Sequence, residues 1–188
     1  MRICVFCSSS DAVDGAYVEA AARLGGLIGS GGHTLVFGGG QVGLMGAVAR
    51  AAKAAGASVI GVLPVFMNRP GIPYAESDQM ILARDMRERK ARMMEMADAF
   101  VALPGGFGTL EELSEVITQK QFGFVKAPLA LVNTLGFYDP LAALFESYYA
   151  RSFSKQAFRA MYAFVPTPED ALGYIRGYSP PELVSMWF

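Results

Sequence analysis

The feature that most constrains this chain is a short apolar run that ends in a glycine turn and restarts at once as a helix. It lies in DAFVALPGGFGTLEE, residues 98–112. Residues 99–103 are too few for an isolated helix and are closed by Pro104 and two glycines, the pattern of a buried strand entering a turn. Thr109 is placed to cap the helix that follows. With Glu112 it forms a T-x-x-E capping box, in which each side chain satisfies a backbone N–H of the first turn. A strand that breaks through Gly105-Gly106-Phe107-Gly108 into a helix exposes N–H groups and the positive end of the helix dipole, a seat for an anion such as phosphate.

The rest of the chain repeats this alternation. Residues 3–6 read as a strand followed by the loop Ser8-Ser9-Ser10-Asp11, and residues 17–28 as a helix stopped by Gly29-Ser30-Gly31-Gly32. A strand at 34–37 runs into the glycine loop 38–46, and an alanine-rich helix then reaches about Ala55, with Gly56 as its stop. Residues 58–63 form an apolar strand closed by Pro64, and residues 65–77 a loop rich in Pro, Gly and Asn. A polar-faced helix is predicted at 85–96, then a strand at 129–132, a helix at 139–149, a short apolar run at 162–165 and a helix from Pro168. Strands apolar throughout, alternating with helices, predict a parallel sheet covered on both faces, the doubly wound α/β class, as one domain over residues 1–188. Right-handed crossovers then carry the loops at Ser8, Gly38 and Gly105 to the same, C-terminal, sheet edge.

Composition excludes several partners. The chain is 53% hydrophobic and 18% charged, yet Arg23, Arg50, Lys53 and closely spaced glycines keep every apolar run short of the roughly 20 residues of a membrane helix. The apolar excess is therefore assigned to a core and a subunit interface. A net charge of −1 gives no general attraction to nucleic acid polymers or membranes. The one local concentration is 84–92, five cations against two acids. The opening MRICVFCSSS is too short in apolar residues for a secretory leader, which predicts a cytoplasmic protein.

Cys4 and Cys7 have C-x-x-C spacing, but inside a strand an odd offset points them to opposite faces, against a redox or zinc role. The lone His33 adds too little for a zinc site, so neither metal nor cofactor is expected. Residues 38–43 satisfy G-x-G-x-x-G, but the acid expected about 20 residues on is replaced by Val62-Leu63-Pro64, which argues against a dinucleotide. Neither glycine loop continues as Gly-Lys-Ser/Thr, so a P-loop is excluded. The methionines at 86, 93, 94 and 96 read as core or interface filler.

Arg89 and Glu112 each have a bland reading by pattern, Glu112 as half of a capping box and Arg89 on a solvated helix face with Glu88 and Arg92. Beside a phosphate loop the pair also suits a specific chemistry. Cleavage of an N-glycosidic bond passes through an oxocarbenium-like state, which a carboxylate stabilises while it orients or deprotonates water, and a cation can steady the departing base.

Residues 104–112, PGGFGTLEE, match the PGGxGTxxE signature of the LOG (LONELY GUY) family, the cytokinin riboside 5′-monophosphate phosphoribohydrolases. CVFCSSS at 4–10, GGGxxGLMG at 38–46, GVLP at 61–64 and MRERKA at 86–91 resemble family motifs in family order, so that the resemblance covers about residues 1–150. It implies a Rossmann-like domain that hydrolyses a nucleoside 5′-monophosphate, usually N6-substituted AMP, to free base and ribose 5-phosphate. Carried over by motif, Glu112 is the catalytic carboxylate and Arg89 its partner. Gly105, Gly106, Gly108 and Thr109 hold the phosphate, and Thr118 falls where the family has a substrate-contacting threonine. Lys90, Glu111 and, on the other loops of the same sheet edge, Ser8, Gly39, Gly40 and Gly43 complete the candidate substrate contacts.

The resemblance further implies a homodimer or larger homo-oligomer with sites near the interface. Two departures concern the base: Arg87 stands where the family commonly has histidine, and residues 65–79 align poorly. A lysine decarboxylase reading, often attached to such sequences, is rejected, since no lysine stands in a pyridoxal phosphate setting and the basic cluster would repel a cationic substrate. The alternative from another class is a non-catalytic nucleotide-binding or carrier protein on the same fold. The apolar tail, 178–188, is assigned to packing on a neighbouring subunit.

Overall fold

The computed structural model describes residues 1–182, so the part of the tail expectation that concerns residues 183–188 lies outside the described residues. Among the described residues seven strands form one sheet: β1 (Arg2–Phe6), β2 (Thr34–Phe37), β3 (Val59–Pro64), β4 (Gln79–Ala83), β5 (Ala99–Ala102), β6 (Leu129–Val132) and β7 (Ala163–Val165). All neighbours pair in parallel, in the order β4-β3-β2-β1-β5-β6-β7. The doubly wound α/β expectation is met.

The α-helices of the described residues that cover the sheet are α1 (Gly15–Ser30), α2 (Gly43–Ala54), α3 (Met86–Met96), α4 (Phe107–Gln121), α5 (Asp139–Ala150) and α6 (Pro168–Gly177). One face carries α1, α2 and α6, with Leu24, Val48 and Leu172 packed on Ile3, Val5 and Phe37. The other carries α3, α4 and α5, with Met93, Leu113 and Phe145 against Phe6, Phe100 and Leu131. Cys4 and Cys7 fall in opposite core clusters, as the odd offset predicts, and both are free and buried. Burial pushes both thiols up, so neither is a ready nucleophile.

The chain winds outward from β1 to β4 on one side, then returns to β5 on the other. The carboxyl ends of β1 and β5 therefore flank a topological switch point, where the loops diverge and leave a crevice. Small residues allow α1 and α2 to close over β1 and β2: a Cβ added at Gly25 would lie 2.3 Å from the Val48 carbonyl oxygen.

The sequence reading missed β4. It is an edge strand paired with β3 and partly exposed, and its apolar run, residues 80–83, is a short one set between a Pro- and Gly-rich loop and the charged stretch 84–92, which hid it. No helix among the described residues is long and apolar enough to cross a membrane.

Candidate active site

The crevice is built where the loops after β1 and β5 touch. Ser8 N–H donates to the Pro104 carbonyl at 3.2 Å, and Gly105 lies so close beneath that an added Cβ would fall 2.1 Å from Thr109 Oγ1. Only glycine lets this turn close. The helix then starts three residues earlier than the capping box requires: α4 begins at Phe107, and its N-cap is Gly106, which has no side chain to cap it. The first-turn N–H groups of Phe107, Gly108 and Thr109 thus face the crevice end of α4 without an intrahelical acceptor. Thr109 is inside the first turn and buried, so the T-x-x-E box is corrected.

Glu112, freed from that box, turns inward to Arg89. Asp85 caps α3 by accepting from the N–H groups of Arg87 and Glu88, both at 2.9 Å, and one turn later Arg89 points under the sheet edge. Its Nε donates to the Val62 carbonyl at 3.0 Å and its Nη1 to Glu112 Oε1 at 2.7 Å. Arg89 is 7% exposed and Glu112 8%, which removes the solvated-face reading of Arg89. Gly38 leaves room for the guanidinium, since a Cβ there would lie 2.1 Å from Nη2. Burial raises the Glu112 carboxyl above its ordinary value, the nearby Arg89 charge opposing but not cancelling the effect. The solvated work of α3 falls instead to Glu88, which receives Arg84 at 2.8 Å and Arg92 at 2.9 Å.

A cavity of about 610 Å³ opens at this edge. Of the predicted residues it gathers Ser8, Gly40, Arg89, Gly106, Gly108, Thr109, Glu111 and Glu112 along its lining. Five others are not brought to its wall. Gly43 donates its N–H to Asp11 Oδ1 at 2.7 Å, and Gly39 has φ of 79° and gives its carbonyl to Tyr74 N–H, so both are turn formers. Gly105 lies under the turn. Lys90 Nζ is held by Glu111 at 2.5 Å and Glu115 at 2.7 Å, and Thr118, further along α4, donates to the Ser114 carbonyl of its own helix.

The reading also missed an apolar wall. Met45, Leu63, Met67, Ile72 and Met86 line the cavity beside Met93, so Met86 is a surface of the cavity rather than core filler. Among the described residues no group of three His, Cys, Asp or Glu is arranged to hold a metal.

Residues 45–175 match the family described as "Possible lysine decarboxylase". The chain is 42% identical over 178 residues to a rice protein named probable cytokinin riboside 5′-monophosphate phosphoribohydrolase LOGL1, covering 95% of this chain and 80% of the relative. It is 38% identical to LOG3 of Arabidopsis thaliana, named cytokinin riboside 5′-monophosphate phosphoribohydrolase, over 95% of this chain and 83% of that one. The chain belongs to the LOG family. Among solved structures, the molybdenum cofactor binding protein of Rippkaea orientalis superposes with a TM-score of 0.71 at 23% identity, covering 93% of this chain and 94% of that one. That likeness shows a shared fold. In LOG family terms, the signature residues 104–112 are the turn and first helical turns that carry Glu112 to Arg89.

Proposed function

We propose that this LOG family protein hydrolyses the N-glycosidic bond of adenosine 5′-monophosphates, N6-substituted ones included, to free base and ribose 5-phosphate. The observation that carries this reading is the buried Arg89–Glu112 pair on the cavity wall beside the uncapped start of α4. The 5′-phosphate sits against the N–H groups of residues 106–109, where helix dipole and unpaired donors act together. Water attacks C1′ as the bond from C1′ to the base nitrogen breaks. Glu112, as carboxylate, stabilises the positive charge on the sugar and takes a proton from the water. Arg89 fixes the carboxylate and presents a cation to the base; the hydroxyl of the water stays on C1′, and the proton that Glu112 takes is passed on to the leaving base nitrogen.

The family description as a lysine decarboxylase gains no support from the cavity, whose lining includes no lysine among the described residues. The whole chain acts as a single domain, in the cytoplasm, with a nucleotide as its partner and neither nucleic acid polymers nor membranes. Exposed Phe107, Leu110, Phe137 and Leu144, which line one surface hollow, support a homodimer or larger assembly. Incubation with AMP, N6-isopentenyladenosine 5′-monophosphate and their nucleosides tests the reading: base is released from the monophosphates, and the nucleosides are much poorer substrates. Equal turnover of nucleoside and nucleotide contradicts phosphate anchoring. Tight AMP binding without base release favours the carrier alternative.

A further inference from the structure

The loops at the cavity rim follow the strand order, so the loop after β3 lies at the opposite end from the uncapped start of α4, with the loops after β2 and β1 between them. If the phosphate occupies the α4 end, the base reaches toward β3, where Met67 and Ile72 stand in the wall. These two belong to the segment between β3 and β4, which has little regular structure of its own beyond the short 3-10 turn Val65–Met67. Its position is fixed by the glycine loop. Gln41 N–H donates to the Ile72 carbonyl at 3.0 Å, Gln41 Nε2 donates to the Gly71 carbonyl at 2.7 Å, and Gly40 and Pro73 form an isolated antiparallel bridge. Tyr74 closes the far side, its N–H on the Gly39 carbonyl and its ring edge-on to Phe37. Arg50 in turn donates to the Gln41 carbonyl at 3.0 Å, so Gln41 is tied to α2 as well as to the segment it holds.

We propose that Gln41 is a positioning residue for base selection: through Gly71 it sets how closely Ile72 and Met67 approach the N6 side of the base. This rests on the reading of the site as a nucleotide hydrolase, and deepens it. Gln41 does not line the cavity itself, so its effect reaches a substrate through residues 71–72 and belongs to the base end. Methionine and isoleucine present a soft apolar surface that favours an apolar N6 substituent over a bare amino group. The side-chain amide of Gln41 is the one tether of residues 71–72 that a substitution can remove without altering the backbone.

The test compares kcat/KM for N6-isopentenyladenosine 5′-monophosphate with that for AMP, in the wild type, Q41A, I72A and the double variant. The wild type prefers the substituted nucleotide. Q41A moves the ratio toward one by about two- to tenfold, the span that one neutral hydrogen bond corresponds to. In the I72A background Q41A changes the ratio less than in the wild type, because only Met67 is left for it to position, and in every variant the monophosphate remains preferred over the nucleoside. Should Q41A fail to fold, Q41M, which keeps the bulk and lacks the N–H donor, carries the same expectation. A wild type with no preference between the two nucleotides, a ratio unchanged in Q41A, or equal losses with both substrates overturns the inference while leaving the hydrolase reading intact. Absence of base release from every substrate in the wild type overturns the hydrolase reading itself, and this inference with it.

Discussion

At the scale of single residues, the pairing of Arg89 with Glu112, proposed above to carry the chemistry, also has a stability cost. Burial raises the Glu112 carboxyl above the ordinary glutamate value, so the carboxylate needed for water activation is lost as pH falls through a point above that value. The acid limb of kcat/KM is therefore expected above the ordinary glutamate value, and a limb at or below it would place the titrating group elsewhere. The same shift has a definite sign for folding. A raised folded-state value favours the protonated form, so the contribution of Glu112 to stability is full below its unfolded value and declines as pH rises through the folded one. Arg89→Met removes the counter-charge and leaves a buried carboxylate, a loss of about 3–5 kcal/mol at neutral pH that thermal or urea melts would register. Lowering the pH should recover part of that loss, since protonation relieves the unpaired charge.

At the scale of elements, the site depends on where α3 and α4 begin. Asp85→Ala leaves two N–H groups at the start of α3 without their acceptor and is expected to cost about 1 kcal/mol in a denaturation midpoint. Gly105→Ala would press a methyl against Thr109 and force the turn open, at about 1–3 kcal/mol. It should raise KM for the monophosphate more than for the nucleoside, which a merely looser fold would not do. The central strands were legible because burial on both sides writes a continuous apolar run, as at 34–37 and 129–132, both matched by β2 and β6. The edge strand β4 has an apolar run too, residues 80–83, but Leu82 is exposed and the run stands between a Pro- and Gly-rich loop and the charged stretch 84–92, so it did not read as a buried strand.

The start of α4 was misplaced for a similar reason. Gly106-Phe107-Gly108 has turn composition, yet Pro104-Gly105 already completes the turn, and the helix absorbs the rest. Arg89 and Glu112 stand 23 residues apart, and no spacing rule joins them. Only the shared sheet edge does. The apolar wall was hidden because methionine in a helix or loop reads the same whether it faces a core or a cavity.

At the scale of the whole molecule, the winding outward from β1 to β4 and back to β5 explains why three separate loops meet at one cavity. The same topology places the candidate phosphate seat at the α4 end of that cavity and Met67 and Ile72 of the apolar wall at the β3 end. Assembly belongs to this scale. Phe107, 91% exposed at the cavity mouth, is an expected contact of the proposed oligomer, and Phe107→Ser should lower the mass measured by light scattering at micromolar concentration. An unchanged mass would remove this face from the interface.

The most direct test of the central claim is base release by Glu112→Gln measured beside its affinity for AMP. Glutamine keeps the shape and can still accept from Arg89, so the account predicts a folded protein that binds AMP as the wild type does and releases base at least about 100-fold more slowly. A folded Glu112→Gln protein that releases base at the wild-type rate would contradict it.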